Sequence, residues 1–235
     1  MDGNFTHFTH DIRHPMSSSE PALVPMKTRD RILQTSLQLF NEYGEPRITT
    51  NHIADELDIS PGNLYYHFRN KDDIIWLLFE QFERRMGAVL QVPKRRVPDM
   101  EDMWLYLHLV FENIWEYRFF YRDLDNLLSR NKKLRTHFRR ILGRKVSTAA
   151  TICKGLIEAG VMDASSEDIA ALSRNIAVIA TYWLNFQRIS APVAGQSNES
   201  DHLAMGVYQV LSLVAPFLQG EARELLRQIS REYLS

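Results

Sequence analysis

Residues 49–71, TTNHIADELDISPGNLYYHFRNK, constrain this chain more than any other stretch. Ile53, Ala54, Leu57 and Ile59 make a short apolar helical face after Thr49 and Thr50, either of which can cap a helix start. Asp58 then falls where the chain must turn, and Asp tolerates left-handed backbone better than most residues, though less well than Gly. Ser60 and Pro61 suit the next helix start, as cap and first helical residue. Within that helix Leu64 and Phe68 lie at i and i+4 and should point inward. Gly62, Asn63, Tyr65, Tyr66 and His67 are left facing elsewhere. Asn70 caps a further helix, with Lys71 at its first position.

A lone Tyr or His on a helix is usually structural. Two adjacent Tyr plus His beside a buried Leu and Phe cannot all enter one core, however. Lys71 stands at the helix end that disfavours a cation, and a DNA phosphate there would explain it. The expectation is a helix-turn-helix that sets one helix in a DNA groove, against the bland alternative of a helical hairpin.

The stretch from Lys27 to Leu78 resembles the DNA-binding domain of the TetR family of bacterial one-component regulators. The resemblance is carried by RDRILQTSLQLFNEYG, by Ile53 and Ala54, and by GNLYYHF followed by Lys71. Asp58 departs from it, since relatives usually have Gly there. The resemblance implies that Asn51, Pro61, Gly62 and Asn63 approach base edges. It also implies that Thr50, Tyr65, Tyr66, His67 and Lys71 hold phosphates, with Lys27 reaching the DNA backbone. Asn can contact adenine through two hydrogen bonds, and Gly permits close approach.

The chain has 235 residues, 45% of them hydrophobic and 24% charged, as in ordinary globular proteins. The net charge of −1 argues against a generally basic nucleic-acid binder. From Lys27 to Lys71 six Lys/Arg balance six Asp/Glu, so the argument rests on local placement of the cations. A single cysteine, Cys153, excludes an internal disulfide framework and suits a reducing cytoplasm. No apolar run approaches the roughly 18 residues of a membrane span, and no signal peptide is visible.

The expected fold is all-α. It comprises a disordered extension (1–25), a three-helix helix-turn-helix domain (26–72), and a helical effector-binding and dimerisation domain (73–235). His7, His10 and His14 in the extension lack the companions a metal site needs. Helices are expected at about 28–43, 71–91, 100–117, 119–129, 131–159, 166–189 and 200–218, followed by a closing amphipathic segment (EARELLRQISREYL). QVPKRRVPD at 91–99 reads as a Pro-flanked linker or helix end.

The helix at 100–117 is rich in rings, and Phe119, Phe120 and Tyr121 follow it. Such residues usually pack a core, but so many large rings can also line a cavity between helices, where TetR-type proteins keep their effector pocket. Trp104, His108, Phe111, Trp115, Phe120, Phe138 and Trp183 are the candidate pocket residues. Residues 118–145 carry ten Lys/Arg against Asp123 and Asp125. This is either a solvated face or a site for an anionic ligand such as a coenzyme A thioester, with Arg139 and Arg140 on its head group. MKTRDRIL, LYLHLVFENIWEYRFFYRDLDNL and YWLNFQRI are similar to TetR-type regulators of polyhydroxyalkanoate gene clusters, which implies a fatty-acyl effector.

Ile176, Ile179, Trp183, Leu184 and Phe186, then Leu203, Tyr208, Leu211, Val214 and Phe217, place bulk on more than one helix face, as a two-fold homodimer interface would require. The expected partners are therefore double-stranded DNA, a second copy and a small hydrophobic, anionic effector, with no membrane and no cofactor. Three alternatives remain. One is a multidrug-sensing repressor whose cationic ligands would need Glu112 or Glu116 in the pocket. The second is a DNA-binding protein without an effector. The third is a helical enzyme, against which no paired carboxylates, metal-ligand spacing, glycine-rich phosphate loop or Cys/His arrangement appears.

Overall fold

The computed structural model describes residues 27–92, 96–190, 199–224 and 226. The expected N-terminal extension, part of the 91–99 segment and most of the closing amphipathic segment lie outside these residues. Among the described residues every regular element is helical: α1 (Thr28–Tyr43), α2 (Thr50–Glu56), α3 (Pro61–His67), α4 (Lys71–Val89), α5 (Met100–Glu116), α6 (Arg118–Arg122), α7 (Leu124–Arg130), α8 (Lys132–Glu158), α9 (Ser166–Ser190) and α10 (Glu199–Val214). Short 3-10 turns follow α1 (Glu45–Arg47) and α10 (Ala215–Phe217). Pro216 in the latter has no N–H to continue the ladder. No helix among them is long and apolar enough to cross a membrane.

Helices α1–α3 form a small head. Local capping sets α2 and α3 as expected. The Thr49 hydroxyl accepts from the His52 N–H at 3.3 Å, and the Ser60 hydroxyl accepts from Asn63 N–H at 3.2 Å. Asp58 makes the turn between them at φ 53°, the left-handed region. Leu64 and Phe68 are buried, pinning α3 onto Ile32, Ile53 and Ala54 of the same core, and Arg29 lies 5.4 Å over the Phe68 ring.

The head is fastened to the remaining helices, the body, by two buried polar side chains. Asn41 on α1 donates to the Glu116 carbonyl at 2.8 Å, and its Oδ1 accepts from Phe119 N–H at 3.0 Å. Glu45, fully buried, receives the Lys71 ammonium at 2.8 Å and the Arg130 guanidinium at 2.7 Å. Its own N–H donates to the Asp123 carboxylate at 3.2 Å. That contact explains a departure from the single helix expected at 119–129. The chain breaks at Asp123 into α6 and α7, and the non-helical Asp123 turns its carboxylate to the head.

In the body, α4 lies along α8. Glu83 meets His137 Nδ1 at 2.8 Å, Arg144 donates to the Gly87 carbonyl at 2.8 Å, and the Thr148 hydroxyl donates to the Leu90 carbonyl at 3.1 Å. Phe79, Phe82, Tyr117, Phe119, Phe120, Tyr121 and Phe138 interlock beside them, ring centroids 4.0–6.4 Å apart in tilted, edge-on or stacked pairs. Phe111 is closed over by α10, where Gly206 allows the approach; a Cβ there would lie 2.5 Å from the Phe111 ring.

Lys145 on α8 is the one buried cation among the described residues, 1% exposed. Its ammonium donates to the Tyr121 hydroxyl at 3.2 Å and lies 5.1 Å from that ring. Burial alone pushes it down to about 7 from 10.5. Its partner Tyr121, and Tyr106 near that phenol, are both raised by burial and stay neutral.

Two measurements test this account of the fold. Glu45→Ala removes the carboxylate that Lys71 and Arg130 share. It should cost about 2 kcal/mol in chemical denaturation, less than for a fully buried pair because Arg130 stays partly in water. The second concerns Lys145. Because the folded state lowers its affinity for a proton, the unfolded chain binds more protons between pH 7 and 10.5. The burial penalty is fully present below pH 7 and fades as pH rises through that window. Wild type should therefore gain stability from pH 7 to 9 relative to Lys145→Met, measured by urea unfolding at each pH; parallel curves would refute it.

Candidate nucleic-acid interface and ligand site

The head presents α3 with its apolar side down and its polar side outward. Asn51, Pro61, Gly62 and Asn63 are exposed, Tyr65 is 49% exposed and Tyr66 84%. Nothing in the protein's own packing requires a tyrosine as open as Tyr66. The Thr50 and Tyr65 hydroxyls lie 3.0 Å apart, bringing the start of α2 and the face of α3 into one polar surface. His67 is half-buried and edge-on to Tyr66, ring centroids 5.1 Å apart. Lys27 is exposed at the start of α1.

Lys71 has partners within the chain. An ammonium has three N–H donors. Here its acceptors are the Glu45 carboxylate at 2.8 Å, the Glu45 carbonyl at 3.0 Å and the Ile48 carbonyl at 2.9 Å. Its place at a helix N-terminus is explained by a buried counter-charge from the head, so no phosphate is needed to account for it. Charge patterning around Lys71 does not reveal this, because Glu45 is distant in sequence.

The residues expected to line a pocket are scattered by the fold. Phe111, Phe120 and Phe138 belong to the close-packed interior. Trp104 and His108 stack on the outer side of α5, centroids 3.9 Å apart, and His108 Nδ1 lies 3.0 Å from the Trp104 carbonyl. Trp115 lies under the Arg118 guanidinium at 4.8 Å. Trp183 stacks on Phe186, with its indole N–H buried and unpartnered. Arg139 and Arg140 are exposed on α8, away from the buried Phe138 and Ile141.

A cavity that the sequence reading missed opens elsewhere. It holds about 190 Å³ between the C-terminal end of α4, α5 and α8. Ala88, Val89, Val92, Leu105, Leu109 and Ile152 supply apolar wall, and Gln91, Asp102, Tyr106 and Thr148 the polar positions. Asp102 is held by Arg96 at 2.7 Å, which keeps its carboxyl below the usual range despite partial burial. A second cleft, about 380 Å³, lies where α1 meets α6 and α9 and mixes Arg47, Arg122 and Arg188 with Glu42 and Asp123. No periodicity could have found either, since each is made by elements distant in sequence. Cys153 is buried and its thiol is pushed up to about 11, the environment of an inert thiol.

Comparison with known proteins agrees with this architecture. The family described as bacterial regulatory proteins, tetR family, matches residues 32–75, and the TetR family of bacterial transcriptional repressors matches 81–226. A crystal structure of a TetR-family transcriptional regulator from Marinobacter aquaeolei VT8 is similar at TM-score 0.80 and 42% identity, covering 88% of this chain and 99% of that one. The probable HTH-type transcriptional regulator YttP of Bacillus subtilis is 24% identical over 136 residues, 57% of this chain and 65% of that protein. The probable acrEF/envCD operon repressor of Escherichia coli K12 is 34% identical over 55 residues, 22% of this chain and 25% of its own. The chain thus spans less than two thirds of these two curated relatives. Both family descriptions and a solved relative along most of its length agree, and the chain belongs to the TetR family of bacterial transcriptional regulators, a family of regulators and not of enzymes.

Proposed function

We propose that this regulator binds operator DNA as a homodimer through α3 and that a small apolar ligand in the body releases it. In this reading residues 26–72 read DNA, and 73–235 bind the ligand and the second copy. The observation that carries it is the exposed side of α3, with Asn63 and Tyr66 free of the protein's own core. Asn51, Pro61, Gly62 and Asn63 meet base edges. Thr50, Tyr65, Tyr66, His67 and Lys27 meet the backbone, since hydroxyls and cations flanking a reading helix fix its register on phosphates.

Dimerisation is supported by α9. Val178, Tyr182, Phe186 and Ile189 form one apolar stripe, 47–80% exposed, on a helix whose opposite side is buried. Such a continuous stripe wants covering, and a two-fold partner also supplies the second reading helix that successive major grooves demand.

The route from ligand to DNA is α4. Its first residue, Lys71, is clamped to Glu45 in the head, and its last turn, at Ala88 and Val89, lines the 190 Å³ cavity. A ligand that widens the cavity moves one end of a rod whose other end carries the head, shifting the population away from the DNA-binding spacing. The multidrug alternative loses support. Glu112 is exposed and Glu116 is paired with Arg85, while the buried charge of the body is a cation.

Asn63→Ala should weaken binding to a selected operator by ~1–3 kcal/mol and relax one base position. Tyr66→Ala should weaken every duplex in gel shifts. If both leave binding unchanged, α3 does not read DNA. Separately, Phe186→Asp with Ile189→Asp should turn a sedimenting dimer into a monomer and lower operator affinity at least about tenfold, 1.4 kcal/mol. A dimer that survives the double change places the interface elsewhere.

A further inference from the structure

We propose that Lys145 is the anchor for the carboxylate of an apolar monocarboxylate ligand that enters the body through the cavity at Tyr106. The inference rests on the reading of the chain as a ligand-switched regulator and names the ligand class. The molecule buries two charged side chains among its described residues, Glu45 and Lys145. Glu45 has two cations on it. Lys145 has a neutral phenol: of its three N–H donors, one reaches the Tyr121 hydroxyl at 3.2 Å, and no carboxylate among the described residues meets the others. A buried ammonium left this way is costly unless it gives up its proton or gains an anion.

The groups around Lys145 supply no anion. Tyr121 faces it from α6, Tyr106 of α5 stands beside Tyr121, and Cys153 lies farther along α8; burial keeps all three neutral. An anion from outside would complete it, and the cavity lies close by along the same helix. Thr148 and Ile152, three and seven residues beyond Lys145 on the same side of α8, line the cavity, as does Tyr106. An alkyl body fits against Val89, Leu105 and Leu109, with its charged end directed inward past Tyr106. One lysine, the one buried cation among the described residues, matches one negative charge. A phosphate dianion would remain uncompensated, and an amine would be repelled. At the mouth Asp102 is already neutralised by Arg96, so it does not turn the anion away.

The test compares sodium octanoate with octan-1-ol, which share a body and differ in charge, by calorimetric titration and thermal shift on the full chain. Wild type should bind octanoate at least about tenfold more tightly than the alcohol and rise in Tm with its concentration. In Lys145→Met that preference should vanish while weak binding of both remains. Equal binding of acid and alcohol by wild type, binding of neither, or a preference that persists in Lys145→Met overturns the assignment. The wild-type comparison decides the matter even if the variant does not fold. Gel shifts with ligand-free protein run alongside: DNA binding retained without an octanoate preference removes only the Lys145 site, whereas loss of DNA binding removes the regulator reading itself.

Discussion

A single carboxylate joins the two halves of this molecule. Glu45 is fully buried at the seam between head and body, and it is stable there because two cations of the body reach it: Lys71 from the start of α4 and Arg130 from the end of α7. A buried carboxylate with one partner missing would be a liability. With both, it fixes where α4 leaves the head and where α7 passes beneath it. Asn41 repeats the device a turn earlier, using both ends of its amide to grip α5 and α6. Apolar contact alone would let the head slide; these directional bonds fix its angle.

That seam gives α4 its mechanical meaning. A helix of 19 residues is stiff along its length, and this one is clamped at its first residue and bordered by a cavity at its last turn. Between those ends it is held to α8 by Glu83–His137 and by the bond from Arg144 to Gly87. In the proposed switch, displacement at the cavity would be carried to the head as a tilt of a rod, with Glu45 as the joint.

The two buried charges make an instructive contrast. Glu45 is paired through Oε1 with two cations, while its Oε2 is buried without a hydrogen-bond partner. Lys145 is unpaired, held by a phenol and lowered by burial to about 7, so its protonation is poised near neutrality. A structure that tolerates such a group inside an apolar body has left a polar position for something to complete. The aromatic richness of α5 and α6, by contrast, leaves no space. Rings at tilted and edge-on angles interlock, and Gly206 lets α10 close over Phe111.

Local chemistry was legible in the sequence. The helix pattern, the caps at Thr49, Ser60 and Asn70, the left-handed turn at Asp58, and the burial of Leu64 and Phe68 beneath an exposed Tyr66 all follow from residue type and spacing. These are interactions between residues a few positions apart, which sequence displays directly. What only the tertiary structure decided involves residues far apart in the chain. Lys71 meets Glu45, Asp123 breaks a helix to reach the head, and Trp104 faces outward while Phe138 is sealed in. The cavity lies at Tyr106 and Leu109, and the other rings of that helix do not line it. A helix's period says which residues share a side, but not which neighbour that side will meet. Charge pairing and cavity shape are properties of the meeting, so they exist only once the chain has folded.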